Sequence, residues 1–104
     1  MTNAARDNDK EVFYQRIAPF RKTLSTRLVT QLERYVFYGE PPSRFVLFAL
    51  CNKLVETVEA AEPADLQYLP ELAKAIKAVV FVEAWGSESL VRAWIQVHRR
   101  KKWD

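Results

Sequence analysis

The sequence predicts an all-α protein, a compact bundle of about five short helices around a buried central third helix. Apolar residues recur at helical spacing through most of the chain. Prolines and capping residues divide these segments, and no internal repeat or low-complexity linker separates them. With 104 residues, 49% of them apolar, the chain suits one packed domain. We expect that domain at residues 9–98, after a flexible N-terminus at 1–8 and before a basic tail at 99–104.

The first two helices are each defined by one apolar face. The first is expected from about residue 9 to 18, before Pro19 interrupts the backbone hydrogen bonds. The second has Thr23 or Ser25 as its N-cap and Gly39 as its stop. The apolar faces comprise Val12, Phe13 and Ile17 in the first helix and Leu24, Leu28, Leu32, Tyr35 and Val36 in the second.

The central third helix follows the double proline at residues 41 and 42. We expect it to start at about residue 42 or 44, with Ser43 available as a cap, and to end at about residue 61. Seven consecutive apolar residues, 45–51, open this segment. Its apolar positions lie on two sides, which predicts neighbouring helices on both. The run is shorter than the roughly 18 apolar residues that span a bilayer, so we interpret it as core.

Prolines also divide the second half of the chain. Pro63 and Pro70 predict a short turn followed by a fourth helix from about residue 70. The cluster VVFV at 79–82 fits either a helix or an extended segment, so the conformations of residues 62–70 and 79–85 stay open. The last helix is indicated by a break at Gly86, a cap at Ser87, and an apolar face of Leu90, Val91, Trp94, Ile95 and His98.

Charge is unevenly distributed along the chain. Residues 1–40 carry a net +2, residues 41–89 a net −3, and residues 90–104 a net +4. Cations at the end of a helix stabilise its dipole, which explains part of the C-terminal cluster. Nucleic-acid binding is the alternative, with phosphate contacts and base stacking by the tail. The residues that would carry it are Arg99, Arg100, Lys101, Lys102 and Trp103.

No catalytic, metal or cofactor site is predicted, so we do not expect an enzyme. His98 is the only histidine, and its place on an apolar face indicates packing or capping. Cys51 is the only cysteine; its apolar surroundings indicate a structural role, and the lack of cysteine pairs fits a reducing compartment. The carboxylates near the end of the third helix are interpreted as a solvated acidic edge, able to receive a basic partner: Glu56, Glu59, Glu62 and Asp65.

Two loops are the candidate contact surface for a protein partner, residues 38–44 and residues 85–88. Rigid aromatic and Arg side chains are the usual energetic centres of protein interfaces. The predicted protein-binding residues are therefore Tyr38, Arg44 and Trp85. For Trp85 a second interpretation is that it plugs one end of the bundle.

A longer pattern resembles a known family. Residues 35–54 read Y-V-x-x-G-x-P-P-x-x-F-V-x-x-A-L-x-N-x-L, followed by W-G-S at 85–87 and V-x-x-W-I at 91–95. This order is similar to that of a family of small helical proteins encoded by bacteriophages, plasmids and other mobile elements, with no assigned enzymatic activity. The family commonly has Asn-Asp-Leu where this chain has Asn-Lys-Leu at 52–54, and a proline-containing loop where this chain has VVFVEA.

The resemblance implies an accessory protein of a phage or mobile element. We therefore predict a non-catalytic protein-binding or regulatory module in the bacterial cytoplasm, with a host or phage protein as partner. Homodimerisation is a further expectation, because a small domain rich in aromatics can expose an apolar patch. The sequence identifies neither the partner nor the process that the protein modifies.

Overall fold

Seven α-helices and two short 3-10 segments make up the fold of the described residues. The structure is a computed structural model that describes residues 3–99, with side chains from residue 9 onward. The helices are α1 (Asn3–Ile17), α2 (Thr26–Tyr38), α3 (Arg44–Leu50), α4 (Leu54–Ala60), α5 (Pro63–Leu66), α6 (Leu69–Val79) and α7 (Glu88–Arg99). The 3-10 segments are Ala18–Lys22 and Val82–Ala84. The all-α prediction is confirmed, whereas the predicted number of helices is too low.

Local capping signals place the ends of α2 and the start of α7. The Ser25 hydroxyl accepts a hydrogen bond from the Leu28 amide at 3.3 Å and starts α2. Gly39 ends α2 with φ +64°, a left-handed conformation that glycine adopts without strain. The Ser87 hydroxyl accepts from the Leu90 amide at 3.2 Å and starts α7. These three predicted capping residues are confirmed, whereas Ser43 occupies the N-cap position of α3 without a capping hydrogen bond from its side chain.

The first helix begins at Asn3, earlier than the predicted start at residue 9. The prediction relied on apolar periodicity, which begins at Val12, but a helix nucleated by packed residues can extend through a polar segment that lacks breakers. Residues 3–8 contain neither proline nor glycine. The segment 1–8, predicted as a flexible N-terminus, therefore overlaps the start of α1.

The predicted third helix is two helices, and this is the main correction to the expected fold. Asn52 has φ +63°, the left-handed conformation that ends α3. The Lys53 amide donates to the Phe48 carbonyl at 3.0 Å and the Asn52 amide to the Ala49 carbonyl at 3.1 Å. This pair of hydrogen bonds is the Schellman arrangement, which usually has glycine at the left-handed position. Because Asn tolerates that position better than most residues, the chain turns there without a glycine.

The burial of the central segment is also only partly as expected. In α3, Phe45, Val46 and Leu50 are each at most 1% exposed, so this half is covered by neighbours. In α4, by contrast, Leu54 is 68% and Val55 is 65% exposed. The reversal at Asn52 packs α4 beside α3 instead of extending α3 into the core. The expectation of one buried central helix was therefore wrong for residues 54–60.

The open segments of the second half also take defined conformations. Pro63 lies in the first turn of α5 and Pro70 in the first turn of α6, positions that tolerate proline. In the VVFV cluster, Val79 is the last residue of α6, whereas Val80 and Phe81 have extended backbone angles. A short 3-10 turn then leads to Trp85.

The hydrophobic core lies between α1, α2, α3, α6 and α7. Two buried hydrogen bonds connect α2 to the C-terminal third of the chain: the Tyr35 hydroxyl donates to the Ala84 carbonyl at 2.6 Å, and the Trp94 indole donates to the Tyr35 carbonyl at 3.1 Å. The fully buried large side chains are Ile17, Leu28, Val29, Leu32, Tyr35, Val36, Phe37, Phe45, Val46, Leu50, Leu72 and Val91. None of the described helices is both long and apolar enough to cross a membrane.

Candidate protein-binding surface

The outward face of α4 carries three large aliphatic side chains that contact solvent. Leu54, Val55 and Val58 are 68%, 65% and 42% exposed. Leu54 and Val58 are four residues apart and therefore adjacent on the helix surface, and Val55 lies three residues before Val58. Thr57, in contrast, is 1% exposed and donates its hydroxyl to the Lys53 carbonyl at 2.5 Å. These three aliphatic side chains thus form an apolar surface over two turns of α4 that no other described part of the chain covers.

A groove of about 140 Å³ borders this face. It lies between α4, α6 and the segment that precedes α7, and it is lined by Ala49, Asn52, Lys53, Leu54, Thr57, Leu69, Ala73, Ile76 and Trp85. Small-molecule sites usually enclose about 300–1,000 Å³. The groove has room for one or two side chains of a partner, and Leu54 belongs to both the groove and the exposed face.

Trp85 is fixed on both sides by hydrogen bonds of its neighbours. The Ala84 carbonyl before it accepts from the buried Tyr35 hydroxyl at 2.6 Å, and the Gly86 amide after it donates to the Leu50 carbonyl at 2.7 Å. Burial raises the pKa of Tyr35, so this hydroxyl remains a donor. The Trp85 ring is partly buried against the core and contributes to the wall of the groove. A preformed aromatic wall costs little entropy when a partner binds.

The start of α4 is held by ion pairs to α7. Lys53 Nζ contacts Glu88 Oε1 at 2.7 Å, and an Arg92 guanidinium nitrogen contacts Glu88 Oε2 at 2.6 Å. The hydrogen bond from Lys53 lowers the pKa of Glu88, and the same bond raises the pKa of Lys53. All three side chains are at least 36% exposed, so they orient the turn more than they stabilise the fold.

Carboxylates form the other border of the exposed face. Glu56, Glu59 and Glu62 are exposed, and none of them forms an ion pair with a residue that the structure describes. Asp65 was expected on the same acidic edge, but it is only 4% exposed and pairs with Arg27, which connects α5 to α2. Asp65 is therefore a buried structural carboxylate, and three glutamates form the acidic edge.

Two of the three predicted protein-binding residues lie next to α4. Arg44 is exposed, its guanidinium is 5.6 Å from the centre of the Phe48 ring, and it lines a hollow with Glu56 and Glu59. Trp85 lines the groove on a different side of α4. Tyr38 is exposed at the end of α2 but lines neither the hollow nor the groove.

The proline loop that carries Arg44 is tied to α2 at both ends. The Ser43 amide donates to Gln31 Oε1 at 2.7 Å, and Arg34 pairs with Glu40 at 3.1 Å. These contacts connect the loop to α2 and thereby limit its freedom, which lowers the entropy cost of using an Arg at its end as an anchor. The sequence predicted the loop and its Arg but not the three aliphatic residues of α4, which were assigned to the core.

The residues considered for other chemistry have structural surroundings. The His98 ring stacks on Trp94 with centroids 3.7 Å apart, and its Nδ1 lies 3.2 Å from the Trp94 carbonyl oxygen. Cys51 is 8% exposed, and burial raises the pKa of its thiol. Within the part of the chain that the structure describes, no group of three or more His, Cys, Asp or Glu residues could hold a metal ion. These surroundings favour packing roles for both residues.

Of the basic tail, Arg99 belongs to the described residues. Arg99 is the last residue of α7 and is exposed. The remaining predicted nucleic-acid-binding residues lie outside the described residues: Arg100, Lys101, Lys102 and Trp103.

Comparisons with protein-family models, with curated proteins and with solved structures found no match to this chain.

Proposed function

We propose that this chain is a non-catalytic protein-binding module that docks its partner on the exposed face of α4 and in the groove beside Trp85. The observation that carries this proposal is the exposure of Leu54, Val55 and Val58 together on two turns of one helix. Single exposed apolar residues are common on soluble proteins, but contiguous groups usually mark interaction sites. Trp85 and Arg44, on two sides of α4, supply residue types that are enriched at the centres of interfaces.

The size and shape of the surface favour a protein partner over a small molecule. The groove of about 140 Å³ is open along the exposed face of α4 and has room for single side chains. A docked segment would cover Leu54 and Val58 while inserting one side chain against Trp85. The resemblance of residues 35–54 to proteins of phages and other mobile elements supports an accessory or regulatory role toward a host or phage protein in the bacterial cytoplasm.

Site-specific photocrosslinking tests this proposal. A benzophenone amino acid replaces Val55 on α4, or Thr30 on the exposed side of α2 as a matched control. In bacterial cells that produce the chain, illumination should give a defined protein adduct from position 55 and none from position 30. Adding Leu54→Lys to the position-55 protein should abolish the adduct, with circular dichroism confirming that the helices are retained. Equal adducts from both positions, or none from position 55, would overturn the proposal.

Nucleic-acid binding by the tail is the alternative, favoured by the four consecutive cations Arg99 to Lys102. If this alternative is correct, nucleic acid and not a protein adduct should be recovered with the chain from the same cells. Its binding should weaken steeply as the salt concentration rises. Replacing the four cations by glutamine is the suitable test. Truncation at Val97 is not, because Gly39 packs against His98 and Arg99 in the last turn of α7.

A further inference from the structure

The charge around the exposed face of α4 restricts what can dock there. Glu59 lies one helical turn after Val55 and therefore borders the apolar face, and Glu56 lies next to Glu59, three residues before it, on the side away from Leu54 and Val58. Glu62 follows the end of the helix. No described residue forms an ion pair with these three glutamates; Arg44 lines one hollow with Glu56 and Glu59 and another with Glu62, and Lys53 is paired with Glu88. A partner that covers the aliphatic residues therefore brings its own polar groups close to three carboxylates that no ion pair within the described residues engages.

A second copy of the chain is a poor occupant of this face. In a two-fold dimer the same patch meets itself, so an antiparallel contact of α4 with α4 would bring the glutamates of the two copies together. Like charges placed together across an interface oppose association. An anionic membrane surface is unfavourable for the same reason. The occupant that combines apolar contact with charge complementarity is a segment that carries lysine or arginine beside an apolar stripe.

Dimensions indicate a helical segment. α4 has seven residues, which at about 1.5 Å per residue corresponds to roughly 10 Å of helix. An amphipathic helix presents one apolar side chain per turn or slightly more, so two of its turns match this length. The described residues include no strand whose edge could pair with an extended peptide. An amphipathic helix laid into an apolar groove is one of the recurring modes of peptide recognition.

We propose that the partner segment is a basic amphipathic helix, which packs its apolar side chains on Leu54, Val58 and the Trp85 groove and places Lys or Arg against Glu56, Glu59 and Glu62. This inference rests on the proposed function, since it names the partner chemistry of the same surface. It also assigns a role to the acidic edge, whose glutamates form no ion pair with a described residue and belong to no group that could hold a metal ion in the described part of the chain.

Two synthetic helical peptides test the inference with the full chain. Both carry the same leucine stripe at i, i+3, i+4 and i+7; one has lysine at the flanking positions and the other has glutamate. Fluorescence anisotropy at low salt should give a dissociation constant about tenfold lower for the lysine peptide, because this peptide gains several exposed ion pairs that the glutamate peptide lacks. Leu54→Lys should abolish binding of this peptide.

A charge reversal provides the decisive comparison. The double variant Glu56→Lys, Glu59→Lys should prefer the glutamate peptide. The control Asp9→Lys, Glu11→Lys makes the same change in net charge on α1 and should keep the preference for the lysine peptide. If both peptides bind the wild-type chain with equal affinity and Leu54→Lys abolishes the binding of both, the surface binds protein but the preference for a basic partner is disproved. If neither peptide binds, or if sedimentation shows a dimer that buries α4, the inference is overturned.

Discussion

Tyr35 makes two long-range hydrogen bonds that its position in the sequence does not reveal. Helical spacing placed it correctly on the apolar stripe of α2. The structure adds that its hydroxyl donates to the Ala84 carbonyl and that its own carbonyl accepts from the Trp94 indole. The partners are 49 and 59 residues away in the chain, and no local pattern predicts contacts at that separation. Tyr35 thereby connects α2 to the segment that presents Trp85.

Replacing Tyr35 with phenylalanine should destabilise the protein by about 1–3 kcal/mol, because the buried Ala84 carbonyl loses its donor. Urea unfolding followed by circular dichroism measures the change. The matched control is Tyr38→Phe, which removes the hydroxyl of an exposed tyrosine and should change stability by less than about 0.5 kcal/mol. Equal effects of the two substitutions would show that the hydrogen bond to Ala84 contributes nothing to the fold.

At the scale of elements, the sequence predicted ends that depend on local chemistry and missed the break between α3 and α4. Ser25, Gly39 and Ser87 are recognisable because their capping interactions involve neighbours in sequence. Asn52 was read as a helical residue, since asparagine is tolerated inside helices and the apolar spacing continues past it. The break decides the candidate site, because it turns Leu54 and Val58 from core residues into surface residues.

The left-handed conformation at Asn52 gives a test of this break. Asn52→Gly should retain or raise stability, whereas Asn52→Ala should be about 1 kcal/mol less stable than Asn52→Gly, because a Cβ atom is unfavourable at φ +63°. Urea midpoints for the two variants measure the difference. Identical midpoints would mean that the left-handed turn is not maintained in solution.

Gly39 extends this comparison to a second position with nearly the same backbone angle. Its φ is +64°, but a Cβ there would lie 2.9 Å from the Arg99 amide nitrogen and 3.0 Å from the His98 Cβ. Gly39→Ala should therefore lower the free energy of unfolding by more than the difference between Asn52→Gly and Asn52→Ala, because the strain of the backbone and the steric overlap with α7 add to each other. Urea unfolding measures both changes. A cost no larger than that difference would show that α7 moves away freely.

At the scale of the whole molecule, folding gathers residues that the sequence holds apart. Arg44 and Trp85 were predicted individually as anchors, and the fold places them on two sides of α4. The sequence also indicated the acidic edge, but the burial of Asp65 against Arg27 depends on the packing of α5 on α2. Residue types and loops could be predicted locally, whereas the site required knowledge of which helices pack together.

Ionisable groups distributed over the fold predict a loss of stability at alkaline pH. The hydrogen bond to Glu33, together with burial and the negative charge of that carboxylate, raises the pKa of Tyr14 to about 12, and burial raises the pKa of Tyr35. An unfolded tyrosine has a pKa of about 10. The folded protein therefore keeps protons that the unfolded chain releases, so this contribution is complete below about pH 10 and declines as the pH rises toward 12. Lys53, whose pKa is also raised, acts in the same direction.

Urea unfolding at intervals between pH 8 and 11.5 should accordingly show a midpoint that falls above about pH 10. The difference between the wild-type curve and the curve of a tyrosine variant gives the contribution of that tyrosine to the decline, because Lys53 is present in both proteins. Tyr14→Phe and Tyr35→Phe should each flatten the decline, and the double variant should flatten it most. Parallel curves for the wild type and both single variants would contradict this assignment, since the decline would then arise from Lys53 and the buried Cys51 thiol, whose pKa values are also raised.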